Sequence, residues 1–155
     1  MSYIDESLSK DEEIHEIYKL HWFSKIPMIL WIIVVIALAI ACFSVDFLIE
    51  MPLWGKAVIV AIPLLAVIYQ WLYLSSIEQG TTNKRIVLKT GIISRETEEM
   101  KMDSVETVEI DQSIFGRIFG FGDITVTGRG ISNVVFKKID DPIEVKKSIE
   151  SVEVL

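Results

Sequence analysis

The chain has 155 residues, 51% hydrophobic and 24% charged, with a formal net charge of −7. That acidic balance speaks against a nucleic-acid partner, which needs a basic surface, and the length suits one small domain beside a pair of membrane spans. The single cysteine, Cys42, excludes an internal disulfide.

Residues 1–11 are polar and read as loose. Residues 12–25 (EEIHEIYKLHWFSK) mix acids with Ile14, Ile17, Tyr18, Leu20, Trp22 and Phe23. Ile14, Ile17 and Tyr18 fall near one another at helical spacing, which predicts a helical segment at the membrane interface or packed on a soluble domain. Trp22 and Phe23 suit the headgroup boundary. His15 and His21 would lie on different faces of such a helix. They read as ordinary polar residues rather than a metal pair, and no metal site is expected.

Residues 26–43 (IPMILWIIVVIALAIACF) and 57–74 (AVIVAIPLLAVIYQWLYL) contain no charge. As helices each spans about 27 Å, close to the hydrocarbon thickness of a bilayer. Both are apolar all round, which predicts a membrane hairpin rather than two buried helices of a soluble bundle. The linker, 44–56, carries Asp46, Glu50 and Lys56, with Pro52 and Gly55 as helix stops and Trp54 as an interfacial anchor. Pro27 is tolerated in a first helical turn, and Pro63 predicts a kink. Gln70, among Tyr69, Trp71 and Tyr73, reads as interfacial, since transport would need polar groups at mid-depth. Ala39-Ile40-Ala41-Cys42 loosely resembles a lipoprotein cleavage box, but an acidic leader and a second apolar run oppose that reading.

Lys10, Lys19 and Lys25 precede the first run, and Lys84, Arg85 and Lys89 follow the second, whereas the linker has only Lys56. Both termini are therefore expected on the cytoplasmic face of the cell membrane. The expected organisation is a cytoplasmic N-terminal segment (1–25), a transmembrane hairpin (26–74) and a cytoplasmic domain (75–155). Net charge divides among these as −3, −1 and −3, with no polybasic cluster to grip anionic lipid.

From residue 75 β-branched runs alternate with turn residues. Strands are predicted over 85–89, 91–95, 105–110, 123–127 and 133–139. Thr90-Gly91 and Gly128-Arg129-Gly130 mark tight turns. A short helical turn is expected over 113–119, stopped by Gly120 and Gly122. Asp141, Pro142 and Glu144 form a helix start, and Val145, Ile149 and Val152 give the last helix one apolar face. The acids Glu96, Glu98 and Glu99 read as a solvated edge.

Thr81-Thr82-Asn83-Lys84-Arg85-Ile86, with Gly91-Ile92-Ile93-Ser94-Arg95 after it, resembles the "T-[ND]-x-R-[IL]" and "G-[IL]-[IL]-x-R" segments of bacterial pleckstrin-homology-like membrane proteins. Gln112-Ser113 and the stretch from Gly116 to Ile124 are similar to that family's "Q-S…R-[ILF]-[LF]-G-x-G". Glu13 and His21 sit where many members have a "G-E" and an "H", with Glu12 in place of the Gly. The resemblance implies a membrane α-helical hairpin followed by a small α+β domain. That domain would be a PH-like antiparallel barrel or strongly bent sheet capped by a C-terminal helix. It supplies no catalytic residue and no cofactor.

No phosphate loop, zinc-protease motif, cysteine pair or nucleophile elbow occurs. The glycines of 116–122 follow a helix and precede a strand, the reverse of a dinucleotide site. An enzyme is not expected. Two functions remain: a membrane-anchored interaction module that assembles with itself or another membrane protein, and recognition of an anionic lipid headgroup. The candidate contacts for either are Thr82, Asn83, Lys84 and Arg85, with Ile114, Phe115, Arg117 and Phe119 from an apolar tip of Ile114, Phe115, Ile118, Phe119 and Phe121, some of whose side chains must fill the barrel. Arg85 has a structural alternative, capping the barrel.

Overall fold

The computed structural model describes residues 3–45, 48, 50–130 and 133–153. Asp46 of the linker lies outside them. The chain divides into two compact units, one of Met1–Phe23 with Ser76–Leu155, the other Ser24–Ser75.

In the first unit the β-branched runs become two antiparallel sheets. One has the order β1 (Ile14–Ile17), β2 (Glu78–Thr82), β3 (Arg85–Thr90), β4 (Glu96–Lys101). The other has the order β5 (Val105–Asp111), β6 (Phe121–Gly128), β7 (Asn133–Asp140). A single turn of 3-10 helix, Met102–Ser104, carries the chain from one sheet to the other. At another corner Leu20 bridges to Ile139, flanked by bonds from His21 N to Lys138 O (2.8 Å) and from Asp140 N to Lys19 O (3.1 Å).

Alternation puts one face of β6 and β7 inward, whereas β2 and β3 are buried on both faces over Gln79–Thr82 and Ile86–Leu88. Ile86 and Leu88 of β3 meet Ile124 and Val126 of β6, and Val134, Phe136 and Ile139 of β7. The closing helix, α5 (Pro142–Glu153), lies against β5 and β6. Its Val145 and Ile149 are buried in the core and Val152 packs at the margin, as their spacing predicts. Asp141 sits just before α5 at φ 46°, and its carbonyl accepts from the Glu144 and Val145 amides. Tyr18 enters the same core, its ring edge-on to Phe136 at 5.5 Å and its hydroxyl 2.5 Å from Thr81 Oγ1. Burial pushes its phenol up to about 12.

Three expectations fail. Residues 3–11 are not loose: α1 (Tyr3–Glu6) buries Ile4. Its start is held by Glu78, whose Oε2 accepts from Tyr3 N at 2.6 Å. The apolar residues of 12–25 belong to a strand, not a helix, because β2 offers β1 an edge to pair with: Ile14 faces Thr82 and Ile17 faces Gly80. Gly80 allows that approach, since a Cβ there would come 2.7 Å from Glu16 O. Residues 91–95 form a bend rather than a strand. Gly91 has φ 96°, and the chain folds back so closely that a Cβ on it would meet Ser94 O.

The second unit holds α2 (Ile26–Ser44) and α3 (Leu53–Ser76). The 3-10 turn Trp22–Lys25 runs directly into α2. Both helices are long and apolar enough to cross a membrane, and only 6% of each apolar window is buried. The second helix starts earlier than expected, at Leu53, because Pro52 opens it: its carbonyl accepts from Gly55 N (2.9 Å) and Lys56 N (3.3 Å). Pro63 lies inside that helix.

Candidate functional site

The turn between β2 and β3 is built by Thr82. Its Oγ1 accepts from the amides of Lys84 (3.2 Å) and Arg85 (3.0 Å), a side-chain substitute for turn hydrogen bonding. The hydroxyl lies 2.8 Å from Glu12 Oε1 as donor. Asn83 takes a bond from Glu13 N (3.0 Å) and gives one to Asp11 O (3.2 Å). Lys84 Nζ donates to Lys10 O at 2.5 Å. Arg85 reaches furthest. Nε donates to Glu12 Oε1 at 2.8 Å, one terminal nitrogen to Glu99 Oε2 at 2.6 Å and the other to Ser7 O at 2.5 Å.

All four residues singled out in this turn therefore grip residues 7–13. Asp11, at φ 62°, turns the chain just before Glu12 enters; Asp tolerates that region better than most residues. The Glu12 side chain is almost wholly buried. Burial alone would raise its carboxyl. Bonds from the Ser9 amide, the Thr82 hydroxyl and Arg85, together with the Arg85 charge, outweigh burial and bring it down to about 2. Burial likewise disfavours the Arg85 cation, but hydrogen bonds to Glu12 and Glu99 hold its pKa above the usual value. The carboxylate and guanidinium are thus bonded to each other and to Ser9, Thr82, Glu99 and Ser7.

Beside the turn is an open cleft of about 750 Å³, bordered by Asn83, Lys84, Arg85, Glu99, Lys101 and Asp103. Its basic and acidic groups are mixed, and Lys89, the next cation along β3, bonds Glu78 Oε1 at 2.7 Å. The acidic run is thus not solvated throughout, since Glu99 is a ligand of Arg85.

The other candidates lie on α4 (Ile114–Phe119). Ser113 caps it, accepting from Gly116 N at 3.1 Å, and Gly120 ends it in the left-handed region at φ 78°. Gly116 faces β6, where a Cβ would come 2.5 Å from Phe121 O. Ile114, Phe115, Ile118 and Phe119 point outward with 78%, 61%, 68% and 44% of their surface exposed, and Arg117 is exposed between them. Of the five apolar residues of the tip, Phe121 is the one that turns inward, and the other four stay outside.

The two groups of candidates are not brought together. They occupy opposite ends of the segment 14–21: Ile14 pairs with Thr82, while His21 stacks on Phe121 at 5.2 Å, next to α4. His21 is buried there, with Nδ1 accepting from Phe23 N at 3.2 Å and Nε2 lying 3.9 Å from Asp140.

The model of the bacterial PH domain matches residues 20–152. The chain belongs to the bacterial PH domain family. Neither a curated protein nor a solved structure matches it. The matched region of this bacterial PH domain protein begins after β1, so Glu12 lies outside it. Sequence reasoning missed Glu12 as a site residue, since the Glu12-Glu13 pair gives no sign of which carboxylate turns inward.

Proposed function

We propose that this chain is a membrane-anchored PH-like interaction module. The two apolar helices cross the cell membrane, both termini lie on the cytoplasmic side, and the PH-like unit contacts another polypeptide: a second copy or a different membrane protein. Length and lack of polar faces support the spans, and the lysine asymmetry supports the orientation.

One observation carries the preference for a polypeptide over a lipid headgroup. The arginine around which a headgroup site would be built is already bonded to Glu12, Glu99 and the Ser7 carbonyl. A phosphate would have to displace two carboxylates from it. Single basic residues near an anionic leaflet contribute only about 1 kcal/mol each, and the acidic border of the cleft works against that. Mixed charges around an open cleft suit the mixed charges of a peptide segment. The anchor already holds the domain at the membrane, so recruitment needs no headgroup.

A photo-crosslinking side chain at position 84 of the full-length protein, in native membranes, tests this. A covalent adduct with a polypeptide is expected. Adducts with lipid alone would favour headgroup recognition.

A further inference from the structure

We propose that the outward face of α4, together with Trp22, is seated in the headgroup–acyl boundary of the bilayer that anchors the chain. The inference rests on the membrane reading above and names a second contact with the same membrane.

Four large apolar side chains stand exposed on a helix of six residues. Exposed apolar residues scattered singly are normal, but a contiguous patch marks a contact surface. Ile93, 99% exposed on the bend after β3, is a scattered one. The α4 residues cannot fold inward to hide, because the backbone beneath them is fixed. Ser113 caps the helix, Gly116 leaves no room against Phe121 O, and Gln112 Nε2 donates to the same oxygen at 3.0 Å.

The occupant follows from where the patch is tethered. The Phe119 ring lies 5.9 Å from that of Trp22, itself half exposed, and 6.0 Å from that of Phe23. Trp22 precedes Ile26, the first residue of α2, by four positions. Four residues of chain reach at most about 14 Å. The patch is thus tethered, through Trp22 and Phe23, to chain only a few residues from the first apolar helix. Trp and Phe favour that depth, and Arg117 can run its charge outward to lipid phosphates while its stem stays among the apolar residues. A single six-residue helix is also too small for a stable protein interface, which buries about 800 Å² on each partner. A lipid surface needs no shape complementarity.

The test uses full-length protein carrying Cys42→Ala, reconstituted in phosphatidylcholine–phosphatidylglycerol vesicles with brominated lipid as quencher. An environment-sensitive fluorophore is placed at one of Phe115→Cys, Ile118→Cys, Ile93→Cys or Leu65→Cys. Positions 115 and 118 should lose about half or more of their emission to shallow-brominated lipid, as expected for side chains at the acyl boundary. Position 93 should lose none, and position 65 should respond to deep bromines. If position 65 responds while 115 and 118 stay open to aqueous quencher, the proposal is overturned and the membrane reading stands. If 115 and 118 are shielded from both quenchers, a protein covers α4 and the proposal is likewise overturned. If position 65 is itself in water, the membrane reading fails and takes this inference with it.

Discussion

Glu12 Oε1 and Arg85 Nε lie 2.8 Å apart across 73 residues of sequence. The pair ties a short N-terminal segment to the turn that most resembles the family's motif. Replacing Glu12 by Ala leaves a largely buried guanidinium, a hydroxyl and the Ser9 amide without their shared acceptor. Removing one partner of a buried ion pair costs about 3 kcal/mol. Hydrogen exchange at the Tyr18 amide, which donates to Gln79 O at 2.8 Å at the end of β1, should then accelerate about a hundredfold. Glu12→Gln, which keeps an acceptor, should accelerate it less. Unchanged exchange in the Ala variant would mean that the clamp does not hold β1.

The same carboxyl makes the attachment pH-dependent. Its pKa falls from 4.5 to about 2 on folding, so the folded state favours the ionised form. The stability this supplies is whole above about pH 4.5 and is lost as pH falls through about 2. Protection of the Tyr18 amide, measured against free-peptide exchange at the same pH, should be lost as pH falls across that interval in the native protein. In the Glu12→Gln variant this component should be flat.

Ile149 of α5 is fully buried in the core beneath the closing helix. Ile149→Ala should cost about 2–5 kcal/mol, and Ile149→Asp at least as much, because it buries a charge as well. Val152→Ala, at the margin of the core, should cost less. Thermal melting of the full-length protein in detergent reads the order. A native-like melt for Ile149→Asp would contradict the packing.

These residues show what was legible in sequence. Val145, Ile149 and Val152 repeat at helical spacing, and β3, β5, β6 and β7 carry β-branched residues, so local pattern sufficed for them. β2 reads EQGTT and offers little such signal; its burial depends on Gly80 admitting β1. β1 is four residues long with a bulge between Ile14 and Glu16, too short for period two to be told from period 3.6. The turn residues were legible as a motif, but their role was not, because their partners lie at the other end of the chain. A fragment starting after α3 would lack β1 and Glu12.

The orientation of the hairpin can be read by labelling intact cells with a membrane-impermeant maleimide in a Cys42→Ala background. A cysteine at Glu50 should be modified from outside and one at Ser151 spared. Labelling at Ser151 would reverse the topology.

The central claim, a membrane-anchored module that works through another polypeptide, is tested most directly by native mass spectrometry. The full-length protein would be extracted from its own membrane in a lipid-retaining polymer disc. The account predicts more than one polypeptide per particle, either a second copy or a different protein, with lipid matching the bulk membrane. One chain per particle, enriched in a single anionic lipid, would contradict it.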